Sequence, residues 1–207
     1  AAEQAAAPQA ADHAIGRWVE ALAAKTPTPG GGGAAAVAAA IGAASAAMAA
    51  IHTTRKKDEE AKDEIHGSVA AKARKVSGDL TASAQRLIAV ADDDAEAYRA
   101  LQATWKDKTM AEEEKKAREA RALEVPVGLV RQCHAQAALV VDFLPQCNKM
   151  IISDAYVALH LLAGAARAAF QTVLVNSPPE ALQLELRGLL DEMSAFEAQV
   201  LPASSSQ

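Results

Sequence analysis

Three consecutive aspartates, Asp92-Asp93-Asp94, lie inside an otherwise apolar stretch of the sequence, LIAVADDDAEAYRAL. Successive residues of a helix point in different directions, so at least one of these carboxylates is expected to face the interior. An inward carboxylate is costly unless it is paired or used in chemistry, where it serves as a proton donor and acceptor. The alternative, that all three lie on a solvated face, stays open from the sequence alone.

The segment Thr26–Gly33, TPTPGGGG, is the second candidate for chemistry. Its two prolines do not suit the interior of a helix and its four glycines do not hold one conformation unaided, which predicts a loop. From Ala34 to Ile51 twelve of eighteen residues are alanine and only Ser45 is polar, which predicts a helix. Free backbone N–H groups leading into a helix N-terminus suit an anion or a carbonyl. A flexible linker is the alternative.

The remaining polar positions give weaker evidence for a functional site. Ser153-Asp154 precedes the most apolar helix, where a simple cap and first-turn acid is the plainer interpretation. His160 falls within that helix and is expected to be a hydrogen-bonded core histidine. The sequence has no P-loop, HExxH, GxSxG or di-iron ExxH motif, and its two cysteines form no CxxC. We therefore expect no metal and no redox cofactor.

The elements that must position these residues are predicted to be helices. The 207-residue chain is 51% hydrophobic with 3% aromatic residues, and it shows no alternation typical of strands. We predict an all-α, up-and-down antiparallel bundle of about six helices, forming one domain over residues 12–201 between disordered tails at 1–11 and 202–207. The helices are expected from Asp12 to before Pro27, over Ala34–Ile51, from Asp58 to about Ala103 with a break near Gly67 or Gly78, from the EEEKKAREAR run to Phe143, from Asp154 to Val175, and over Glu180–Leu201.

Charge and composition exclude some partners. A net charge of −5 and a pI near 5.6 argue against a nucleic-acid partner. The alanine-rich run is long enough for a bilayer, but alanine gains little from lipid, so a central helix is expected and not a membrane span. The N-terminal residues lack the pattern of a secretory signal. We expect a cytoplasmic protein, or one of an organelle matrix if a leader was removed.

Three motifs occur in one order along the chain: TPTPGGGGAAA before a small-residue helix, DDAEAY at Asp93–Tyr98, and NxxxISDA at Asn148–Ala155. With these motifs the chain resembles the cyclodeaminase/methenyltetrahydrofolate cyclohydrolase family, over about Ala14 to Leu201. That family comprises the C-terminal domain of formiminotransferase-cyclodeaminase and stand-alone methenyltetrahydrofolate cyclohydrolases. The glycine motif is closer to that of the stand-alone enzymes.

The resemblance implies a dimeric helical bundle that binds a tetrahydrofolate derivative as its substrate, beside the glycine-rich loop and near the subunit contact. It assigns catalysis to Asp94. The implied reaction is hydrolysis of 5,10-methenyltetrahydrofolate to 10-formyltetrahydrofolate, or the related cyclodeamination of 5-formiminotetrahydrofolate. The positions that it assigns to folate binding are Pro29, Gly30, Gly31, Gly32, Gly33, Lys56, Lys57, Asn148, Ser153, Asp154 and Tyr156.

Several positions depart from the family pattern on the expected folate side. Tyr156 and Cys147 stand where glycines are usual, and Thr172 stands where an asparagine is usual. Tyr156 could stack on a pterin or fill the pocket. The second possibility favours an alternative function, in which a non-catalytic member of the family acts as a structural or assembly subunit.

Overall fold

The computed structural model describes residues 14–54 and 64–201, and these residues form helices and no strand. The predicted all-α fold is thus confirmed, and the predicted tails at 1–11 and 202–207 lie outside the described residues. A short 3₁₀ helix, Leu144–Gln146, follows the fourth α-helix. The described part of the chain forms six α-helices: α1 (Ala14–Ala23), α2 (Gly31–Ile51), α3 (Glu64–Lys106), α4 (Glu112–Phe143), α5 (Ile152–Val175) and α6 (Glu180–Val200).

Helix α2 lies between α3 and α5, and it packs most extensively against these two helices. Most of its alanines are buried, because a helix of small side chains lets its neighbours approach its backbone. A Cβ atom at Gly42 would lie 3.1 Å from Leu161 Cβ and 3.1 Å from Leu162 Cγ of α5. Ser45 Oγ donates to the backbone oxygen of Asp154 at 3.1 Å. The N-terminal half of α5 is therefore fixed beside the C-terminal half of α2.

Two helix boundaries differ from those expected from sequence. Helix α2 begins at Gly31, with Gly30 as its N-cap, so the loop predicted over Thr26–Gly33 is wrong for its last three glycines. Helix α3 runs without interruption through both glycines, so the break expected near Gly67 or Gly78 is wrong. An interior glycine costs a helix only about 1 kcal/mol, and the buried neighbours Val76 and Leu80 anchor α3 on both sides of Gly78. The expected start of this helix at Asp58 lies outside the described residues.

A carboxylate joins α5 to α6. Glu197 of α6, whose side chain is 15% exposed, accepts a hydrogen bond from Arg167 Nη1 at 2.7 Å and pairs with His160 Nδ1 at 2.9 Å. Burial alone would raise the pKa of Glu197, but the hydrogen bonds from Arg167 and His160 outweigh it and lower the pKa. His160 is hydrogen-bonded as expected, but its side chain is 40% exposed and does not belong to the core.

Helices α2 and α5 are long and apolar enough to cross a membrane by length and composition. In this fold 61% of an apolar 18-residue stretch of α2 is buried inside the bundle, and 50% of the corresponding stretch of α5 is buried. Core helices of soluble proteins meet the same criteria. Their apolar character follows from their place between other helices.

Candidate functional site

The N-terminus of α2 is capped by a side chain from another helix. The first N–H groups of any helix have no acceptor within it, and no side chain of the preceding loop supplies one to α2. Instead the Gly33 N–H donates to Asp94 Oδ2 of α3 at 3.0 Å. A carboxylate in this position satisfies an orphan donor and interacts favourably with the positive end of the helix dipole.

Gly32 makes this contact possible. A Cβ atom built on Gly32 would collide with the Asp94 carboxyl group, whereas one on Gly31 would meet nothing within 4 Å. The glycines therefore act in the first turn of a helix and not as a flexible loop. Asp94 stabilises that turn from outside, which local sequence propensity does not reveal.

The three aspartates of α3 face different directions. Asp92 and Asp93 are exposed, and Asp93 lies 3.8 Å from Arg121 in a half-exposed ion pair. Asp94 is partly buried and faces the α2 N-terminus. The structure thus places one carboxylate of the three inward.

Asp94 lies at the wall of a cavity of about 420 Å³ between α2, α3, α4 and α5. Among the described residues that line the cavity, Asp94 carries the only carboxyl group. The backbone of the α2 N-terminus supplies polar groups beside it, and most of the other wall is apolar. The residues that line the cavity are Pro27, Thr28, Gly30, Gly31, Gly32, Asp94, Ala97, Tyr98, Leu101, Trp105, Ala122, Pro126, Thr172, Val175 and Asn176.

Burial raises the pKa of Asp94, and the hydrogen bond from the Gly33 N–H opposes that effect without cancelling it. A carboxyl group with a raised pKa takes up and releases a proton nearer to neutral pH than an ordinary aspartate. Asp94 is accordingly suited to transfer protons to and from a ligand in the cavity.

Sequence reasoning did not select Tyr98 and Trp105 as site residues, although a signal for them exists. They follow Asp94 by four and eleven positions, as Leu101 does by seven, and these intervals place all four residues on one face of α3. Asn176, Val175 and the residues from α4 carry no comparable local signal. Their place at the cavity depends on how α4 and α5 pack.

The other predicted folate-binding residues divide into three groups. Gly30, Gly31 and Gly32 line the cavity, Gly33 binds Asp94, and Pro29 lies in the preceding loop. Lys56 and Lys57 lie outside the described residues. The remaining residues do not line the cavity of this chain and lie toward the opposite end of the bundle: Asn148, Ser153, Asp154 and Tyr156.

Tyr156 does not block the cavity. It lies sixteen residues before Thr172 on the same helix, α5, which corresponds to roughly 24 Å along the axis. Thr172 and the residues after it line the cavity, whereas Tyr156 and Asp154 are near the start of α5. The expectation that Tyr156 either stacks on a ligand or fills the pocket does not apply to the Asp94 cavity within one chain.

Asn148 has a structural role at the C-terminus of α2. Its Nδ2 donates to the backbone oxygen of His52 at 3.1 Å, and its backbone N–H donates to Thr53 Oγ1 at 3.0 Å. Its Oδ1 accepts from the backbone N–H of Met150 at 3.1 Å. These contacts join the turn before α5 to the end of α2, at the opposite end of that helix from Asp94.

Comparisons with known proteins identify related chains. A family model described as formiminotransferase-cyclodeaminase matches residues 14–179. The fold is similar to the crystal structure of formiminotetrahydrofolate cyclodeaminase from Thermotoga maritima, with a TM-score of 0.72 and 22% sequence identity over 92% of this chain and 93% of that one. No sequence in a search of curated proteins matches significantly. At this identity the structural similarity supports the fold, while the family model supports the family.

The contact between Gly32 and Asp94 predicts an unequal response to two similar changes. Gly32→Ala is expected to lower the free energy of unfolding by about 1–3 kcal/mol, because the new Cβ displaces the Asp94 carboxyl group. Gly31→Ala is expected to leave stability unchanged or to raise it by up to about 1 kcal/mol. Urea denaturation of both variants measures the difference.

A comparison in a second background tests whether the Gly32→Ala effect arises from Asp94. In an Asp94→Ala background, Gly32→Ala should cost much less than in the wild type, because the colliding group is absent. Equal costs in the two backgrounds would show that the Gly32 effect does not arise from Asp94.

The raised pKa of Asp94 also predicts how stability depends on pH. Because the folded state holds this proton more tightly than the unfolded state, Asp94 favours folding below the ordinary aspartate pKa of about 3.9, and this contribution is lost as the pH rises through the raised value. The wild type should therefore lose stability relative to Asp94→Asn between acidic and neutral pH. Parallel urea titrations across this range measure the difference, and a constant or opposite difference would contradict the raised pKa.

Proposed function

The chain belongs to the formiminotransferase-cyclodeaminase family, and we propose that it catalyses proton-transfer chemistry at the one-carbon unit of tetrahydrofolate, with Asp94 as the acid and base. The reaction proposed first is hydrolysis of 5,10-methenyltetrahydrofolate to 10-formyltetrahydrofolate. The observation that carries the proposal is the Asp94 carboxyl group, which lies at a helix N-terminus and is the one carboxyl group among the described residues that line the cavity.

The chemistry of the methenyl bridge suits such a site. The bridge is a delocalised cation that joins N5 and N10 of the folate. Water must attack its carbon and lose both of its protons as the formyl C=O forms. The bond from that carbon to N5 must break and N5 must take up one proton, so that one proton is released. One carboxyl group can stabilise the cation, accept the proton from water and deliver a proton to N5.

The N–H groups at the start of α2 complement this role. Gly31 and Gly32 line the cavity, and the positive end of the α2 dipole lies beside them. As water adds to the bridge carbon, the new oxygen becomes that of a formyl group. Backbone N–H groups at a helix N-terminus are suited to stabilise such a carbonyl oxygen, in the manner of an oxyanion hole.

Cyclodeamination of 5-formiminotetrahydrofolate is the second candidate reaction, and the names of the family and of the similar crystal structure favour it. It reaches the same methenyl bridge from the other side: N10 attacks the formimino carbon and ammonia leaves. The same carboxyl group can protonate the departing nitrogen. Both substrates therefore belong in the first assay.

The role proposed for Asp94 predicts that Asp94→Asn lowers kcat by about 10²–10⁴-fold while the protein stays folded. The assay follows the loss of near-ultraviolet absorbance of 5,10-methenyltetrahydrofolate, and ammonia release from 5-formiminotetrahydrofolate. Asp93→Asn is the matched control, because Asp93 is exposed and lies outside the cavity lining. It should keep the wild-type rate.

Two outcomes would count against this assignment. An unchanged rate in a folded Asp94→Asn protein would remove Asp94 from the mechanism. A wild-type protein that is folded but inactive on both substrates would favour the alternative function, that of a non-catalytic structural or assembly subunit.

We also propose that the protein is a homodimer formed through an exposed face of α2 and α3. A groove on this face exposes 50% of Ile41, 41% of Met48 and 48% of Ile88, and the described residues that line it carry no charge. On α2 the lining residues Ile41, Ala44, Met48 and Ile51 follow each other at intervals of three and four, which is the spacing of a helix–helix contact. A second copy presents the same uncharged, regularly spaced surface.

An antiparallel arrangement about a two-fold axis would give the dimer a role in the site. The two copies of α2 would then lie with opposite ends together. The Asn148 end of one bundle would lie alongside the Asp94 end of the other. This arrangement would bring together, from two chains, family-like motifs that lie at opposite ends of the bundle within one chain.

The proposed dimer predicts that Met48→Glu halves the molecular mass measured by light scattering, from twice the 21.5 kDa of the chain to that of a single chain. A buried carboxylate without a partner opposes association at this face. Leu184→Glu, at a side chain 63% exposed on α6, is the matched control and should remain dimeric. A wild-type protein that is monomeric at tens of micromolar, or a dimeric Met48→Glu variant, would exclude this interface.

A further inference from the structure

The Asp94 cavity has two unlike parts. The backbone of the α2 N-terminus lies beside Asp94, and the polar side chains of Thr172 and Asn176 belong to the same lining. Farther along α3 its wall is aromatic: the Tyr98 and Trp105 rings meet edge to face, with their centroids 6.3 Å apart and an angle of 83° between their planes. A ligand in this cavity therefore meets hydrogen-bonding groups at the start of α2 and ring surfaces farther along α3.

The demands of the core do not explain this aromatic wall. Trp105 is 55% exposed in the last turn of α3, and Tyr98 is 37% exposed. The chain has only two tryptophans, two tyrosines and three phenylalanines. An indole ring left half in water gains only about half of the stabilisation that full burial would give, because the stabilisation comes from the area removed from water. The same exposed ring offers a flat apolar surface to a planar ligand.

We propose that Tyr98 and Trp105 form the binding surface for the p-aminobenzoyl ring of the folate, with the one-carbon unit at Asp94. This inference rests on the proposed function, since it identifies which part of that substrate meets which part of the cavity. It assigns a binding role to two residues and no catalytic step to either.

The connectivity of folate supports this orientation. The p-aminobenzoyl ring is bonded directly to N10, so it lies next to the one-carbon bridge. Tyr98 follows Asp94 by four residues, which is about 6 Å along α3. A bridge held at Asp94 therefore brings the ring to the level of Tyr98, and Trp105 extends the surface in the same direction.

The polarity of the two folate rings supports it as well. The pterin edge carries several hydrogen-bond donors and acceptors, and burial is costly unless these groups find partners. Partners for these groups line the same cavity: the backbone N–H groups of Gly31 and Gly32 beside Asp94, and the Asn176 Oδ1, since Asn176 Nδ2 already donates to the Ala122 and Thr172 backbone oxygens. The p-aminobenzoyl ring carries the glutamate, whose carboxylates need solvent. The exposed position of Trp105 indicates that the cavity opens to solvent at that side.

The test measures binding independently of turnover. Titration calorimetry with 5-formyltetrahydrofolate, a stable analogue, is carried out on the wild type, Tyr98→Ala and Trp105→Ala. Loss of a stacked ring costs about 1–3 kcal/mol, so each alanine variant should raise Kd by about 5- to 150-fold. Tyr98→Phe and Trp105→Phe keep a ring and should bind within about threefold of the wild type. Leu184→Ala, a control that removes an exposed apolar side chain elsewhere, should bind like the wild type.

Two fragments identify the ring that is bound. p-Aminobenzoylglutamate should inhibit turnover by the alanine variants more weakly than turnover by the wild type, by the same factor as the loss in binding of 5-formyltetrahydrofolate. Inhibition by pterin-6-carboxylate should not change. The KM of the substrate should rise while kcat stays nearly constant, because a stacked ring contributes equally to ground-state and transition-state binding.

Three results would overturn the inference. If the wild type binds 5-formyltetrahydrofolate and both alanine variants bind it equally well, the aromatic wall has no such role, and the proposed function stands. If the alanine substitutions weaken inhibition by pterin-6-carboxylate and leave inhibition by p-aminobenzoylglutamate unchanged, the folate binds in the reverse orientation. If the folded wild type neither binds the analogue nor turns over either substrate, the proposed function fails and this inference fails with it.

Discussion

The hydrogen bond from the Gly33 N–H to the Asp94 carboxylate joins the fold to the candidate site. It supplies the cap that the glycine-rich start of α2 lacks, and it holds the carboxyl group at the wall of the cavity. The geometry requires a residue without a Cβ at Gly32. Burial keeps the pKa of Asp94 raised in spite of this hydrogen bond. The same interaction therefore stabilises the first turn of α2 and leaves a proton-transfer group available to a ligand.

The small side chains of α2 place this interaction at the centre of the bundle. Because α2 is mostly alanine and glycine, α3 and α5 approach its backbone closely, and both helices contribute to the cavity at its N-terminus. The composition has a second consequence. Although α2 packs closely against helices on two sides, it exposes Ile41 and Met48 on a third side, next to Ile88 of α3. The helix that organises one chain thus also presents the surface that we propose for a second copy.

The sequence predicted the helical class and most helix positions, because these follow from local composition, periodicity and breakers such as Pro27 and Pro145. It did not predict that three glycines belong to α2, because their helical conformation depends on Asp94, sixty-one positions away. The break expected near Gly78 was wrong for a similar reason, because packing on both sides of this residue outweighs its low helix propensity. Tertiary contacts decided these positions.

The candidate site was accessible from sequence only in part. Asp94 and the glycines Gly30–Gly32 were selected, and they meet at one cavity. The aromatic residues Tyr98 and Trp105 share a helical face with Asp94 and could have been found by extending its periodicity along α3. Asn176 could not, because α5 brings it there from eighty-two positions away in sequence. The family motif around Asn148 and Asp154 did not indicate how far these residues lie from Asp94. The structure places the motif toward the other end of the bundle.

The central claim is that the one-carbon unit of a folate binds at the N-terminus of α2 beside Asp94. A crystal structure of the protein with 5-formyltetrahydrofolate tests it most directly. The account predicts the formyl carbon within about 3–3.5 Å of an Asp94 carboxylate oxygen, with the formyl oxygen toward the N–H groups of Gly31 and Gly32. A folate bound elsewhere, with the Asp94 cavity left empty, would contradict the account.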